Sequence, residues 1–329
     1  MDFWANLNTP LDFFVFFFAL SVVFVNGWTD APNSIFSIVA SGALKLWQGA
    51  LLSGIFNFLG VFLTSLFGAS VAKTMFSLVN LSSKQSTSIV CLSCFIVIVL
   101  FGILCWFFGL PSSESHAMIF SLLGGLFALG KTITSLTQEI ILILLYLIFS
   151  CAVSFLISFL ALKSTQSLKL PYKRLLPVSC AMLSFTHGAQ DGQKFLGVLL
   201  FVLSIGSNKF PSKVPISLVL LVSITMSLST LLGGGRIIKT LSKASDSIDY
   251  HSSFCSDIGS FITILLCSAL GMPISTGNVK SMSIIGCAVG KKERINKKTT
   301  GKILLASVVT LPVCFVMGYL ICKFISFAL

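Results

Sequence analysis

The sequence predicts an all-α, polytopic integral membrane protein made of two inverted copies of one helical pattern, and three observations carry that prediction. Hydrophobic residues make up 55% of the chain and charged residues 10%, with a mean hydropathy of +1.00; this composition suits a surface that faces lipid. Apolar runs recur that approach the roughly 20 residues a helix needs to cross about 30 Å of hydrocarbon. Two motif pairs also repeat at one spacing. Asp30 and Asp191, in Gly27-x-x-Asp30 and Gly188-x-x-Asp191, stand 161 positions apart, and PSSESH from Pro111 and PISTGN from Pro273 stand 162 apart. An internal duplication follows, with a first transmembrane repeat at 1–165 and a second at 166–329.

The first segment joins the apolar run Phe13 to Val25, the polar island from Asn26 to Asn33 and a second run from Ile35 to Leu44. It reads as one crossing, broken in the middle. Asp2 and Asp12 precede it with no Lys or Arg, which argues against a cleaved signal peptide. Segments at 47–67, 88–110, a short one at 116–130 and 140–162 complete a set of five, and the Ser-rich link at 67–88 has room for a further hairpin. The second repeat opens on a broken segment at 176–206 around HGAQDGQK, residues 187–194, where Gly188 and Gly192 let the helix unwind. Segments at 214–232, 254–270, a short one at 275–289 and 303–324 follow, again five. The two short segments read as spanning or re-entrant. An odd number of segments per repeat turns the second copy upside down, which is the construction of secondary transporters.

The charge of +12 fits this topology. Basic residues sit in short links between apolar segments and form no single soluble patch, which excludes nucleic acid as a partner. With the link at 163–175 in the cytoplasm, fourteen of the 22 Lys and Arg residues fall inside, six outside and two, Lys194 and Lys280, within motifs. The positive-inside rule then places both termini outside a plasma membrane that the chain crosses several times. The ten cysteines lie in or beside apolar segments and read as small core residues, and Cys91-x-x-Cys94 has no companion pair to make a metal site.

Four carboxylates, Asp30, Glu114, Asp191 and Asp257, fall at membrane depth. Each is costly in lipid, so the set points to a cation or proton pathway, or else to structural neutralisation by Lys194 and Lys280. The second motif pair suits an anion. Ser112, Ser113 and Ser115 stand at the start of one short helix, and Ser275 and Thr276 at the start of the other. Free N–H groups at a helix start favour an oxyanion and hydroxyls add donors, while N-capping is the simpler use of a Ser or Thr there.

Five stretches together resemble the inorganic phosphate transporter (PiT) family: Gly27-x-x-Asp30-x-x-Asn33, GLPSSESHA at 109–117, HGAQDGQKFLGV at 187–198, GGGRIIKTL at 233–241 and GMPISTGNVK at 271–280. The resemblance spans nearly the whole chain and keeps the family's order. It implies import of inorganic phosphate by symport with sodium or a proton through alternating access, with no cofactor and no catalysis. Under it Asp30, Asn33 and Asp191 match the ion and phosphate centre, Gln193 and Lys194 its second-motif tail, and Ser113, Ser115, Ser275 and Thr276 its helix starts. The assigned phosphate set is therefore Ser112, Ser113, Ser115, Lys194, Ser275 and Thr276, and the cation set Thr29, Asp30, Asn33, Glu114, Gln190 and Asp191. Asp30 and Asp191 would hold sodium if sodium is the coupled ion. Thr29 and Gln190 stand where the family commonly has Asn, and Asn278 where it commonly has His; His116 keeps its place in the first copy.

Substrate choice has a chemical basis. Phosphate near neutral pH carries a proton that it can donate to a carboxylate, whereas sulfate cannot, so phosphate is favoured and a sulfate permease of the same fold is the alternative. An intramembrane aspartyl enzyme would leave the paired helix starts unused, and an anion channel needs a continuous pore in place of a closed midplane site. Besides phosphate and the lipid bilayer, an assembly of several identical copies is compatible with the sequence.

Overall fold

A computed structural model of the chain describes residues 9–67, 69–77, 84–110, 113–130, 137–203, 214–233, 235–242, 249–293 and 297–328. The first half holds α1 (Pro10–Ala40), α2 (Leu46–Phe67), α3 (Ser70–Ser77), α4 (Lys84–Phe108), α5 (Glu114–Ala128) and α6 (Thr137–Thr165). The second holds α7 (Tyr172–His187), α8 (Gln193–Leu203), α9 (Ile216–Leu232), α10 (Gly235–Leu241), α11 (Tyr250–Ala269), α12 (Thr276–Gly290) and α13 (Lys297–Ala328). No strand occurs among the described residues. Among the described residues, six helices are long and apolar enough to cross a membrane, or seven spans if α9 and α10, bent by 68° at their junction, count as one.

Large apolar side chains face outward as well as inward. Helix α6 exposes Ile148, Leu156 and Leu160 and buries Ser150, Ser154 and Ser158, which recur every four residues on one face. Ser154 donates to the Val279 carbonyl of α12 at 2.8 Å. Small hydroxyls let the helices approach closely, and the outward Leu, Ile and Phe side chains match hydrocarbon.

The expected break at 26–33 does not occur, because α1 is one helix of 31 residues with Pro32 inside it. Pro32 withdraws the donor that Trp28 would use, and the freed Trp28 carbonyl lies against Gly233, where any Cβ would overlap it. In the second half the interruption is a π-helical turn, Gly188–Gly192, joining α7 to α8. Gly188 sits against the Asn57 backbone of α2, with no room for a side chain. The Ser-rich link contains the short helix α3, and Gly235–Leu241 of the GGGRIIKTL stretch forms the whole of α10.

The two short helices, α5 and α12, have 15 residues each, about 22 Å of rise. They begin in the same way. Gly109 and Gly271 take φ of +66° and +68°, and the next N–H closes on Cys105 O in one copy and Cys267 O in the other, both at 2.8 Å. Ser113 and Ser275 then cap the helices, each accepting from an N–H three residues on at 3.4 Å. Packing is reciprocal as well: α5 lies on α13, and α12 lies on α6. Gly124 meets the Phe315 backbone and Gly286 meets the Phe155 backbone, in both cases too closely for a Cβ.

Candidate functional site

The two aspartates come together from opposite halves of the chain. Asn26 Nδ2 reaches Asp30 Oδ2 at 3.2 Å and Asp191 Oδ2 at 3.5 Å, and Asp30, His187 and Asp191 each place one ligand atom within 4.8 Å of the others. All are fully buried. The unbroken α1 places Asn26, Asp30 and Asn33 on one face at i, i+4 and i+7, and the π-turn presents His187, Asp191 and Lys194 toward them.

The surroundings of the two carboxylates differ. Asp191 Oδ1 receives Lys194 Nζ at 2.5 Å, and its Oδ2 receives the Thr276 hydroxyl at 2.9 Å. Lys194 also donates to Ser115 Oγ at 2.7 Å and to Ile274 O at 2.5 Å. The starts of α5 and α12 thus meet on one lysine–aspartate pair. Asp30 has only amides, from Asn26 and from Asn33 at 3.1 Å. Thr29 contacts Val25 O at 2.9 Å and Glu114 Oε1 at 2.5 Å, while Glu114 Oε2, Asn26 Oδ1 and Asn33 Oδ1 are buried without a hydrogen-bond partner. Three carboxylates therefore surround one lysine, with acceptor oxygens left over. A bound cation would satisfy both the charge and the oxygens.

His187 fits the same need. Asn57 Nδ2 points to Ser53 and Thr230 at 3.4 and 3.1 Å, so its Oδ1, 3.1 Å from His187 Nδ1, accepts the imidazole proton. Nε2 is then a lone pair 3.2 Å from Asp191 Oδ2, without a hydrogen bond. A proton or another cation between the two atoms relieves their repulsion.

Of the sequence-predicted residues, Asp30, Asn33, Asp191, Lys194, Ser115 and Thr276 are brought together, with Glu114 and Thr29 beside them. Ser113 and Ser275 accept as helix caps and keep their own O–H for donation. Gln190 is not brought in: its Nε2 donates to Met272 O at 2.8 Å and its Oε1 accepts from Ser268 at 2.5 Å, and side chains adjacent in sequence do not share a helix face. Gln193 likewise accepts from the Val71 N–H at 3.1 Å. His116 is buried near the start of α5 with Nδ1 unpartnered. Ser112 lies outside the described residues. Sequence reasoning missed Asn26, Asn57 and His187 as site residues. The first and last precede Asp30 and Asp191 by four positions, a helical spacing that was available as a signal.

Known proteins resemble this chain over most of its length. The model of the Phosphate transporter family matches residues 26–174 and again 163–318. A probable low-affinity inorganic phosphate transporter of Bacillus subtilis is 28% identical over 313 residues, 91% of this chain and 92% of that protein. A protein of the same description from Rhizobium meliloti is 28% identical over 322 residues, 94% of each chain. Among solved structures, one titled the sodium-dependent phosphate transporter superposes with a TM-score of 0.84 at 20% identity, covering 98% of this chain and 100% of its own.

Proposed function

The chain belongs to the phosphate transporter family, a multi-pass membrane protein and not an enzyme, and from that premise we propose that it imports inorganic phosphate by symport with a cation, sodium or a proton. The observation that carries the reading is the pairing of Asp191 with Lys194 beside an Asp30 that has no protein cation. A cation entering between Asp30 and Asp191, within reach of Asn33, Thr29 and Glu114, competes for Asp191 and frees Lys194. Phosphate then takes Lys194 together with the hydroxyls of Ser115 and Thr276, and the hydroxyls of Ser113 and Ser275 face the same helix starts. Either ion alone would leave a buried charge uncompensated, so the two bind together. Sodium has the added support of the structural neighbour's title.

The two-repeat reading, 1–165 and 166–329 in inverted orientation, rests on the matched helix starts, the reciprocal glycine contacts and the shared offset of 161 to 162 positions. Alternating access by rocking one repeat against the other follows from it. We place the protein in the plasma membrane with both termini outside, on the distribution of Lys and Arg.

The test is uptake of labelled phosphate into liposomes under an inward sodium gradient, an inward proton gradient or neither, with excess unlabelled sulfate as competitor. Uptake that requires one gradient and ignores sulfate is the expected result and names the ion. Accumulation of sulfate without phosphate would overturn the substrate, and transport of neither would overturn the function.

A further inference from the structure

A second lysine–aspartate pair lies outside the centre just described. Lys280 Nζ bonds Asp257 Oδ1 at 2.6 Å with both side chains fully buried. The lysine also donates to Ser37 Oγ at 2.7 Å and Ser256 Oγ at 3.0 Å, and Asp257 Oδ2 receives Ser179 at 2.8 Å. This is the donor set of the central site: a lysine shared between an aspartate and a hydroxyl, with a second hydroxyl on the other carboxylate oxygen. Two rails join the sites. On α12, Lys280 follows Thr276 by one turn, and on α1, Ser37 follows Asn33 by one turn, about 6 Å along each axis.

The matching place in the other half is chemically opposite. Displaced by 161 or 162 positions, Ser37, Ser179, Ser256, Asp257 and Lys280 correspond to Val198, Phe18, Cys94, Phe95 and Met118. These pack into one apolar cluster, with Phe18 at its margin. Buried ion pairs of this kind are seldom needed for stability, since apolar residues of similar size commonly serve as well or better. The first half serves its fold with such residues, so the pair in the second half calls for a different explanation.

We infer that Lys280 and Asp257, with Ser37, Ser179 and Ser256, form a transit site on one of the two access routes, where Lys280 takes the phosphate and Asp257 takes its cation. The other route is closed by the dry apolar cluster. The inference rests on the cation–phosphate reading of the centre. Exchange at the transit site replaces one ion pair by two, so net charge at that depth is unchanged as the cargo passes. Under the orientation proposed above, the ends of α1 and α12 beyond this site face the cytoplasm, which makes it the inner route.

The first measurement uses the double variant Lys280→Met, Asp257→Leu, which gives the pair an apolar character like its counterpart. It should be at least as heat-stable as the native protein and bind labelled phosphate within about threefold, yet lose about tenfold or more in liposome uptake. Uptake within about twofold of native would overturn the transit role. The second measurement reads water access without transport. Ser37→Cys and Val198→Cys are treated with a hydrophilic maleimide, and the labelled peptides are quantified by mass spectrometry. Labelling at 37 and not at 198, slowed by phosphate with sodium, is expected; equal labelling of both, or of neither, overturns the asymmetry. If native protein neither binds nor carries phosphate while residue 37 alone is labelled, the polar route stands and the phosphate reading of the centre falls.

Discussion

Asp30 and Asp191 occupy equivalent places in two copies of one pattern, but their neighbours are not equivalent. Four positions before each stand Asn26 and His187, and three positions after each stand Asn33 and Lys194. The first copy thus offers amides and the second offers bases. Asp191 is paired within the protein by Lys194, whereas Asp30 receives only amide hydrogen bonds. In the proposed symport, this divergence within one repeated pattern gives the cation an open carboxylate at Asp30 and gives the anion a lysine to take at Lys194.

The largest expected effect tests whether Asp30 is the externally compensated carboxylate. Asp30→Asn should lower cation-driven phosphate uptake by about a hundredfold or more, close to 3 kcal/mol, in protein that still runs as a single peak by size-exclusion chromatography. Near-native uptake would break the comparison. Next, Lys194→Asn gives the second copy the first copy's residue and leaves Asp191 buried without its cation. The variant should lose about 3–5 kcal/mol in unfolding experiments, with part of the loss recovered at high concentration of the coupled cation and none in choline. Loss that is insensitive to the cation would mean that Asp191 cannot take an external ion.

A smaller effect sharpens the shared part of the frame. Gly27 lies against Met226 and Ser229 of α9, and Gly188 lies against Asn57 of α2, each with no space for a methyl group. Gly27→Ala and Gly188→Ala should each cost about 1–3 kcal/mol in thermal unfolding. Similar losses would support the equivalence of the two contacts, and a loss in one only would argue against it.

The smallest effect is a control remote from both aspartates. Asp249 caps α11 by accepting from the Ser252 N–H at 2.8 Å and pairs with Lys291 at 2.5 Å. Burial pushes its carboxyl up, but the hydrogen bonds from Lys291 and Ser252 outweigh this and hold it below the ordinary carboxylate value. Asp249→Ala should cost about 1 kcal/mol near neutral pH. Because the folded value is depressed, the stabilisation is complete above the ordinary carboxylate pKa and is lost as pH falls through the depressed value. The difference between native and variant melting temperatures should therefore shrink in acid; a difference that grows would contradict the sign.

Much of the fold was legible in the sequence because membrane helices announce themselves by composition, and repetition marked Asp30, Asp191 and the two short helix starts. The expected break around Asp30 was misread, since Pro32 and Gly27 suggest interruption locally while α9 and Gly233 hold α1 continuous. Gln190 adjoins Asp191 in sequence yet faces Met272 and Ser268, because neighbouring residues of a helix project in different directions and only packing decides which one meets the centre. His187 stood in a quoted motif, but its role depends on Asn57, 130 positions earlier, which orients its imidazole.

By itself, then, the sequence determined the membrane class, the repeated motifs and the two short helix starts they mark, and it picked out Asp30, Glu114, Asp191 and Asp257 as carboxylates within apolar segments. These follow from composition and from interactions within a turn or two of helix, which are local. Only the tertiary structure decided which carboxylate is paired and which is left open. The deciding contacts join Thr29 to Glu114, Lys194 to Ser115 and Thr276 to Asp191, partners 79 to 85 positions apart. Such contacts arise from how helices distant in sequence pack, two of them within one half and Lys194 to Ser115 between the halves, and no local pattern encodes them.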